Sequence, residues 1–466
     1  MNDPPAMSAR SVRYAWYVAV LLTVTQIVSY LDRFLPSLLV QPIKHDLGLS
    51  DFQIGLVLGP AFVVFYIGLG IPVGWLADRV NRRGILAAGV AIWCAMTAAG
   101  AAAMSFVPLF VARLGVGIGE ATVAPTSISL ISDYFGRQKQ ARAVSLFMSG
   151  TFLGAGASFL FFGPLVQYIE SRGAVSVPLL GSFQSWRLCF LAVGIPGLIL
   201  ALLMFTVREP VRQDRVAFSH RGGGATASTD ANPTFRDGVA YIARRWRAFG
   251  TLFIASSCNV TMGALGLWNV ALFQRTWGWN VAEVGVAVGL ILFTAGPIGV
   301  LLGVMLTNRD LAAGRRDATL RALFLGLVIG VPTYAVFPLM PRVALGLVAL
   351  FVAQVGQAMA TAAGPATLVM MSPGQIRAQS TAIYYMVISI IAQLIGPPLV
   401  GLITDLFGNP AALRYAIAIE AIAIGVPSIL LTRLGFAAYR RSVAELDEKF
   451  DAPPGELSPA IEGARQ

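Results

Sequence analysis

Apolar runs of about twenty residues recur along the whole chain, divided by short polar breaks, and this spacing predicts twelve membrane-crossing helices. They fall at 13–42, 52–79, 84–104, 106–134, 138–169 and 185–207, then at 246–275, 282–307, 319–340, 343–371, 376–405 and 411–434. The runs are long and continuous, not short and alternating, which excludes a transmembrane β-barrel. The expected fold class is an all-α polytopic membrane protein. The first run follows Arg10 and Arg13 in the manner of a secretory leader. It is too long for one, carries Asp32-Arg33 and lacks a small-residue cleavage site, so it is expected to stay.

Polar patterning then divides the chain. Arg221-Gly-Gly-Gly-Ala-Thr-Ala-Ser-Thr-Asp230 has the composition of a flexible linker and lies near the midpoint. Arg244-Arg245-Trp246 after it begins a surface helix or the seventh span. Four parts are expected: a six-helix bundle over 1–207, a linker over 208–245, a second six-helix bundle over 246–434 and a tail over 435–466. The tail, with Asp451-Ala-Pro-Pro-Gly455, reads as a short solvated helix followed by disorder. The halves resemble each other. Leu109-Phe-Val-Ala-Arg113-Leu-Gly115 recurs as Leu350-Phe-Val-Ala-Gln354-Val-Gly356, and Gly163-Pro164 recurs as Gly396-Pro397. Parallel repeats of this kind place a substrate between the halves near the midplane.

Charge adds orientation. Hydrophobic residues are 56% of 466 and charged ones 12%, about half the share in a soluble protein, with a net charge of +11. The excess of arginine sits in alternate loops: Arg79, Arg82, Arg83; Arg137, Lys139, Arg142; Arg208, Arg212, Arg215, Arg244, Arg245, Arg247; Arg309, Arg315, Arg316. The opposite loops hold the singles Lys44, Arg172, Arg187, Arg275, Arg342 and Arg414. This is the positive-inside pattern and not a nucleic-acid footprint; it predicts both termini in the cytoplasm of a cell whose inner membrane the chain spans. Cys94, Cys189 and Cys258 lie within apolar runs at no metal-like spacing and read as small core residues. His45 and His220 lie near loops, leaving little room for a histidine-based site.

The candidate chemistry centres on Tyr30-Leu31-Asp32-Arg33-Phe34, an acid and a base inside an apolar run. An ionised side chain at bilayer depth costs at least ~2.5–3.5 kcal/mol, so it must find a partner or water. Arg113 and Glu120 in the fourth run are two helical turns apart and share a face. Asp32, Arg33, Arg113 and Glu120 form a neutral set, either a functional cluster or a static network tying two helices. At the repeat equivalents of Arg113 and Glu120 the second half has Gln354 and Thr361, so the ionisable equipment is on one half. Tyr30, Trp268, Asn269, Phe273, Gln354, Gln357 and Thr361 are candidates to line a cavity, polar but uncharged with aromatics; ordinary interhelical packing is the alternative for each. Glu420 is left over in the twelfth run, with Arg414 as its expected partner.

Gly74-Trp-Leu-Ala-Asp78-Arg79-Val-Asn-Arg82-Arg83 resembles the signature loop of the major facilitator superfamily, with Asn81 where glycine is usual. Arg113-x-x-x-Gly117-x-Gly119-Glu120-Ala121 resembles that superfamily's fourth-span motif, with Val116 in place of glutamine. Gly150-x-x-x-Gly154-x-Gly156 with Gly163-Pro164 partly resembles its antiporter motif. The resemblance implies a twelve-helix major facilitator bundle in two pseudo-symmetric halves. It also implies a conformational lock from Gly74, Asp78, Arg79, Arg82 and Arg83 that clamps the cytoplasmic side of the outward-facing state; a topology-setting basic loop is the alternative. Within the superfamily, Tyr30-Leu31-Asp32-Arg33-Phe34 and Gly117-x-Gly119-Glu120-Ala121 look most like the spinster transporters, which in animals handle sphingosine-1-phosphate and lysophospholipids.

The expected function is proton-coupled alternating-access transport, by antiport, of an amphiphilic, lipid-like organic anion. Asp32 and Glu120 would carry protons, and Arg33 and Arg113 would hold the acids or an anionic headgroup. The alternatives are an uncoupled facilitator, a multidrug-type exporter or a lipid sensor that does not transport. A metal cluster, a nucleophile–base pair and a phosphate loop are all missing, so no enzyme, no metal and no cofactor beyond the coupling proton are expected. The expected partners are a small-molecule or lipid substrate and membrane lipids, for a monomer with no nucleic acid.

Overall fold

The computed structural model describes residues 9–77, 79–135, 137–173, 175–177, 181–210, 235–373 and 376–451. Among them are twelve helical spans long and apolar enough to cross a membrane. In the first half these are α1 (Ala9–Leu38), α3–α4 (Asp51–Leu58 and Pro60–Ala77), α5 (Arg82–Gly100), α6–α7 (Phe106–Glu120 and Val123–Tyr134), α8 (Arg137–Ser171) and α9 (Ser185–Met204). A short helix α2 (Val40–Leu47) follows α1. In the second half they are α11–α12 (Trp246–Leu265 and Asn269–Trp277), α13 (Val281–Ala312), α14 (Ala318–Val336), α15 (Val343–Met371), α16 (Arg377–Leu406) and α17 (Leu413–Asp451). Helix α10 (Phe235–Arg244) precedes them, so Arg245 separates a surface helix from the seventh span. The flexible stretch 211–234, the tail beyond Asp451 and Asp78 of the signature loop lie outside the described residues.

The chain is all-α apart from one short hairpin, and the boundary between the twelfth span and the tail is corrected. The all-α chain carries one small hairpin, β1 (Val175–Val177) antiparallel to β2 (Gly181–Phe183), in the loop between α8 and α9. The twelfth span and the tail helix are one continuous 39-residue helix, Leu413–Asp451, with no proline after Pro427 to break it. Tyr439 and Val443 are buried against the bundle.

Local sequence explains where helices start and break. Ser50 caps α3 and exchanges hydrogen bonds with Gln53, and Asn280 does the same for α13 with Glu283. Asn81, where the resembled motif has glycine, caps α5: its Oδ1 accepts from the Gly84 amide at 3.2 Å. The second span breaks at Gly59-Pro60, the fourth at Ala121-Thr122 and the seventh at a 3-10 turn over Gly266–Trp268. The fourth-span break falls directly after Glu120. Discontinuous helices of this kind expose backbone polar groups where a ligand or ion can use them.

The halves meet along two seams, α3 with α16 and α8 with α13. On the first, a Cβ at Gly55 would lie 2.4 Å from the Pro397 carbonyl oxygen, and one at Gly59 2.3 Å from that of Gln393. On the second, a Cβ at Gly163 would lie 2.8 Å from Gly285 Cα. These contacts lie toward the end opposite the arginine-rich loops. Nearer the basic end, Gly68 and Gly70 of α4 and Gly296 of α13 have nothing within 4 Å of a Cβ position.

Candidate functional site

Four charged side chains from α1 and α6 meet within the first half. Arg33 Nη2 donates to Glu120 Oε2 at 2.8 Å, and Ser29 Oγ donates to the same oxygen at 2.7 Å. Arg113 Nη1 donates to Asp32 Oδ2 at 3.4 Å, while Thr97 Oγ1 from α5 donates to Asp32 Oδ1 at 2.8 Å. Consecutive residues of α1 thus face opposite-signed residues two turns apart on α6, which is what the spacing of 113 and 120 permits. Glycine makes room: a Cβ at Gly117 would lie 2.3 Å from the Phe62 carbonyl oxygen, and one at Gly119 2.5 Å from that of Gly89. The fourth span therefore sits directly on the second and third.

The set is not fully satisfied. Glu120 Oε1, Arg33 Nε and Arg113 Nε are buried without a hydrogen-bond partner. Both carboxylates and Arg113 have almost no side-chain exposure, whereas Arg33 keeps 20%. Its guanidinium lies 4.7, 4.4 and 4.8 Å from the ring centroids of Tyr30, Phe62 and Tyr66. Aromatic faces stabilise a desolvated cation by cation–π attraction and leave its edge free to bond. Ser29, Thr97, Phe62 and Tyr66 escaped sequence reasoning; hydroxyls and rings in apolar runs carry no charge signal.

A second cluster joins the halves at the end away from the basic loops. Arg275 of α12 grips Asp51 of α3 with both terminal nitrogens, at 2.9 and 2.7 Å, and Lys44 reaches Asp51 at 2.7 Å. Asp405 of α16 accepts from the Asp51 and Phe52 amides at 3.0 and 2.8 Å, so it caps the start of α3 from the other half. Gln167 Oε1 accepts from the Val281 amide at 3.3 Å. Arg187, another of the scattered basic residues, bonds Asp46 at 3.0 Å and the carbonyls of Ala101 and Ala103, bracing α2 within the first half.

At the basic end, Arg82 is buried and bonds Glu209 at 2.7 Å, Asp133 at 2.5 Å and the Ser129 hydroxyl at 2.9 Å. It ties the starts and ends of the third, fourth and sixth spans inside one half. The Arg83 amide also donates to Glu209, at 3.3 Å. Gly74 lies in α4, and Arg79, exposed, follows its end.

The second-half candidates divide. Asn259 Nδ2 donates to Thr361 Oγ1 at 2.8 Å and Gln357 Nε2 to the Asn259 carbonyl at 3.4 Å, so Gln357 and Thr361 bind the tenth span to the seventh. Gln354 is half-buried and Thr361 exposed. Trp268 and Phe273 are corrected: both are fully buried in the packed core and face no open space in this conformation. The break in the seventh span turns the indole inward, where Nε1 donates to the Pro397 carbonyl at 3.1 Å. Asn269 is buried with Oδ1 unpartnered. The Glu420–Arg414 pair is also corrected. Six residues apart on one helix, they do not share a face, and the Arg414 guanidinium lies over the Tyr415 ring at 5.7 Å.

The fold and the sequence match known proteins. A solved bacterial homologue of the human lysosomal transporter spinster, in an inward-facing, unoccupied conformation, superposes with a TM-score of 0.75 at 23% identity, covering 96% of this chain and 99% of that one. An MFS-type efflux pump of Mycolicibacterium smegmatis is 28% identical over 442 residues, 93% of this chain and 95% of the pump. Protein spinster of Drosophila melanogaster is 25% identical over 304 residues, 64% of this chain and 46% of that protein. The family model described as Major Facilitator Superfamily matches residues 22–331. An integral multi-pass membrane protein of this family is a transporter and not an enzyme, and the chain belongs to the Major Facilitator Superfamily.

Proposed function

We propose that the chain is a proton-coupled transporter of an amphiphilic organic anion, with Asp32 and Glu120 as the proton-coupling carboxylates. The observation that carries this is the half-satisfied Arg33–Glu120 pair: one carboxylate oxygen and one guanidinium nitrogen are unpartnered beside an exposed cation edge. A static strut would gain by closing those bonds, since unpaired buried polar groups are costly. Protonating Glu120 removes the counter-charge that holds Arg33 and frees its planar fork for a carboxylate or phosphate. The rings of Tyr30, Phe62 and Tyr66 then offer apolar surface beside that fork, as a lipid-like anion requires. Arg113 and Thr97 hold Asp32 as the second acid of the relay.

With the basic loops and both termini in the cytoplasm of a cell membrane, the halves are sealed on the outer side, and the conformation is inward-facing. Each half moves as a unit, 1–207 against 246–434, with Arg79, Arg82 and Arg83 at the closing inner face. Export of amphiphiles is the second reading, favoured by the similarity to an efflux pump over nearly the whole chain.

Proteoliposomes with an imposed pH gradient test the coupling, using lysophospholipids, sphingoid phosphates and amphiphilic drugs as the panel. Glu120→Gln is expected to abolish gradient-driven accumulation while leaving the protein folded and ligand exchange intact. Gradient-driven uptake at the wild-type rate in that variant would refute the assignment.

A further inference from the structure

One intramembrane acid takes no part in that scheme. Glu420, in α17, is completely buried. Neither of its carboxyl oxygens has a hydrogen-bond partner. The Val400 amide approaches it without closing a bond.

Among the described residues, none of the ion pairs or charge interactions supplies it with a counter-charge. A Cβ placed on Gly396 of α16 would sit 3.7 Å from Glu420 Oε1, 3.3 Å from the Thr261 methyl and 3.5 Å from the Ala264 methyl of α11. From α14 the titratable group facing it is the buried Tyr334 hydroxyl, which lies beside the Asn269 side chain. From α11 the nearest titratable side chain in sequence is Cys258, whose thiol is turned to Ser428. Arg275 of α12 is committed to Asp51, and Arg414 on its own helix lies over Tyr415. A carboxylate with bare oxygens and no cation is untenable in such a place; a carboxylic acid is tolerable there.

The position also borders the boundary between the halves. Gly396–Val400 of α16, against which Glu420 lies, presents its other side to the first half. There Gly55 meets the Pro397 carbonyl oxygen and Gly401 the Asp51 carbonyl oxygen. The indole of Trp268 donates to the same Pro397 carbonyl. Parting α3 from α16 uncovers this stretch, along with Gln393, whose Oε1 is unpartnered in the closed arrangement. Water reaching Glu420 by that route supplies both hydration for a carboxylate and an acceptor for its proton.

We propose that Glu420 is a second proton-binding site, in the C-terminal half, loaded while the α3–α16 seam is closed and unloaded to water when it opens. The step is the simple loss of the carboxyl proton to water, with no other bond made or broken. It is distinct from the Asp32–Glu120 relay and stands without it.

Infrared spectra of the purified protein in nanodiscs, at mildly alkaline pH, test the proposal through the C=O stretch of a protonated carboxyl. The wild type is expected to show that band, Glu420→Gln to lose it, and the Asp32→Asn/Glu120→Gln double variant to keep it. Glu420→Asp is expected to shift the band without removing it, which secures the assignment if the Gln variant assembles poorly. Arg275→Gln, which loosens the seam, is expected to diminish the band at the same pH. A wild-type spectrum identical to that of Glu420→Gln would overturn the proposal. So would a band untouched by Arg275→Gln once spin-label distances show that seam open. Loss of gradient-driven transport belongs to the other two acids, so failure of one assignment is visible apart from failure of the other.

Discussion

Replacing Arg275 by glutamine removes the ionic tie between α12 and Asp51 of α3, a contact that exists only while the two halves are closed at that end. Asp51 has 1% side-chain exposure and Arg275 7%, so the pair is far from a surface bridge worth at most about 1 kcal/mol. It is not an isolated buried pair either, whose breakage costs ~3–5 kcal/mol, because Lys44 remains on Asp51 at 2.7 Å. A loss of about 2 kcal/mol lies between these limits and shifts the equilibrium by roughly 30-fold. Spin labels at Ser171 and Asn409 report on the sealed end, and labels at Lys139 and Arg316 on the basic end; all four residues are exposed. In double electron–electron resonance, the first pair is expected to gain a longer distance and the second a shorter one. Unchanged distributions in both pairs would show that glycine packing alone holds the closed state, and would refute the share of its stability assigned to the ionic tie.

Two further outcomes follow from the packing. Gly55→Val forces a methyl-bearing carbon to within 2.4 Å of the Pro397 carbonyl oxygen, where only backbone is available to yield. The same pair of spin-label distances should move as with Arg275→Gln but without any response to salt; a salt-sensitive change would assign the effect to charge instead. Arg82→Ala removes the cation shared by Asp133 and Glu209, which are 10% and 27% exposed, and should cost about 2 kcal/mol. A melting temperature in detergent equal to the wild type would exclude Arg82 as the tie at the basic end.

What the sequence made legible was whatever carries a strong local signal. Twenty-residue apolar runs gave the spans, and isolated charges within them gave Asp32, Arg33, Arg113 and Glu120, because a buried charge can hardly occur without a partner. The direction of pairing was not readable: Arg33 takes Glu120 and Arg113 takes Asp32, a choice made by helix rotation. Arg275 looked like a stray loop charge because its partner, Asp51, is 224 positions away at the edge of another span. Trp268 and Phe273 fitted a cavity by type, but a 3-10 turn rotates them into the core, and no residue pattern announced that turn. Glu420 was assigned Arg414 by proximity in sequence, whereas geometry on a helix favours partners three or four positions apart.

The glycine-lined seams carry a last consequence. At Gly55, Gly59, Gly163, Gly285 and Gly289 main chain comes close to main chain across the boundary, while at Gly156 the Phe293 ring of the other half packs into the space the missing side chain leaves. Over the glycine-on-backbone positions such a surface behaves as a bearing, and the Phe293 ring at Gly156 is the knob that rolling has to clear. Friction is low at those positions, and the ionic ties at the rim share with the Phe293 contact the task of deciding where the rolling stops. A bulky residue at any one of these glycines would act as grit, slowing turnover more than it weakens ligand binding.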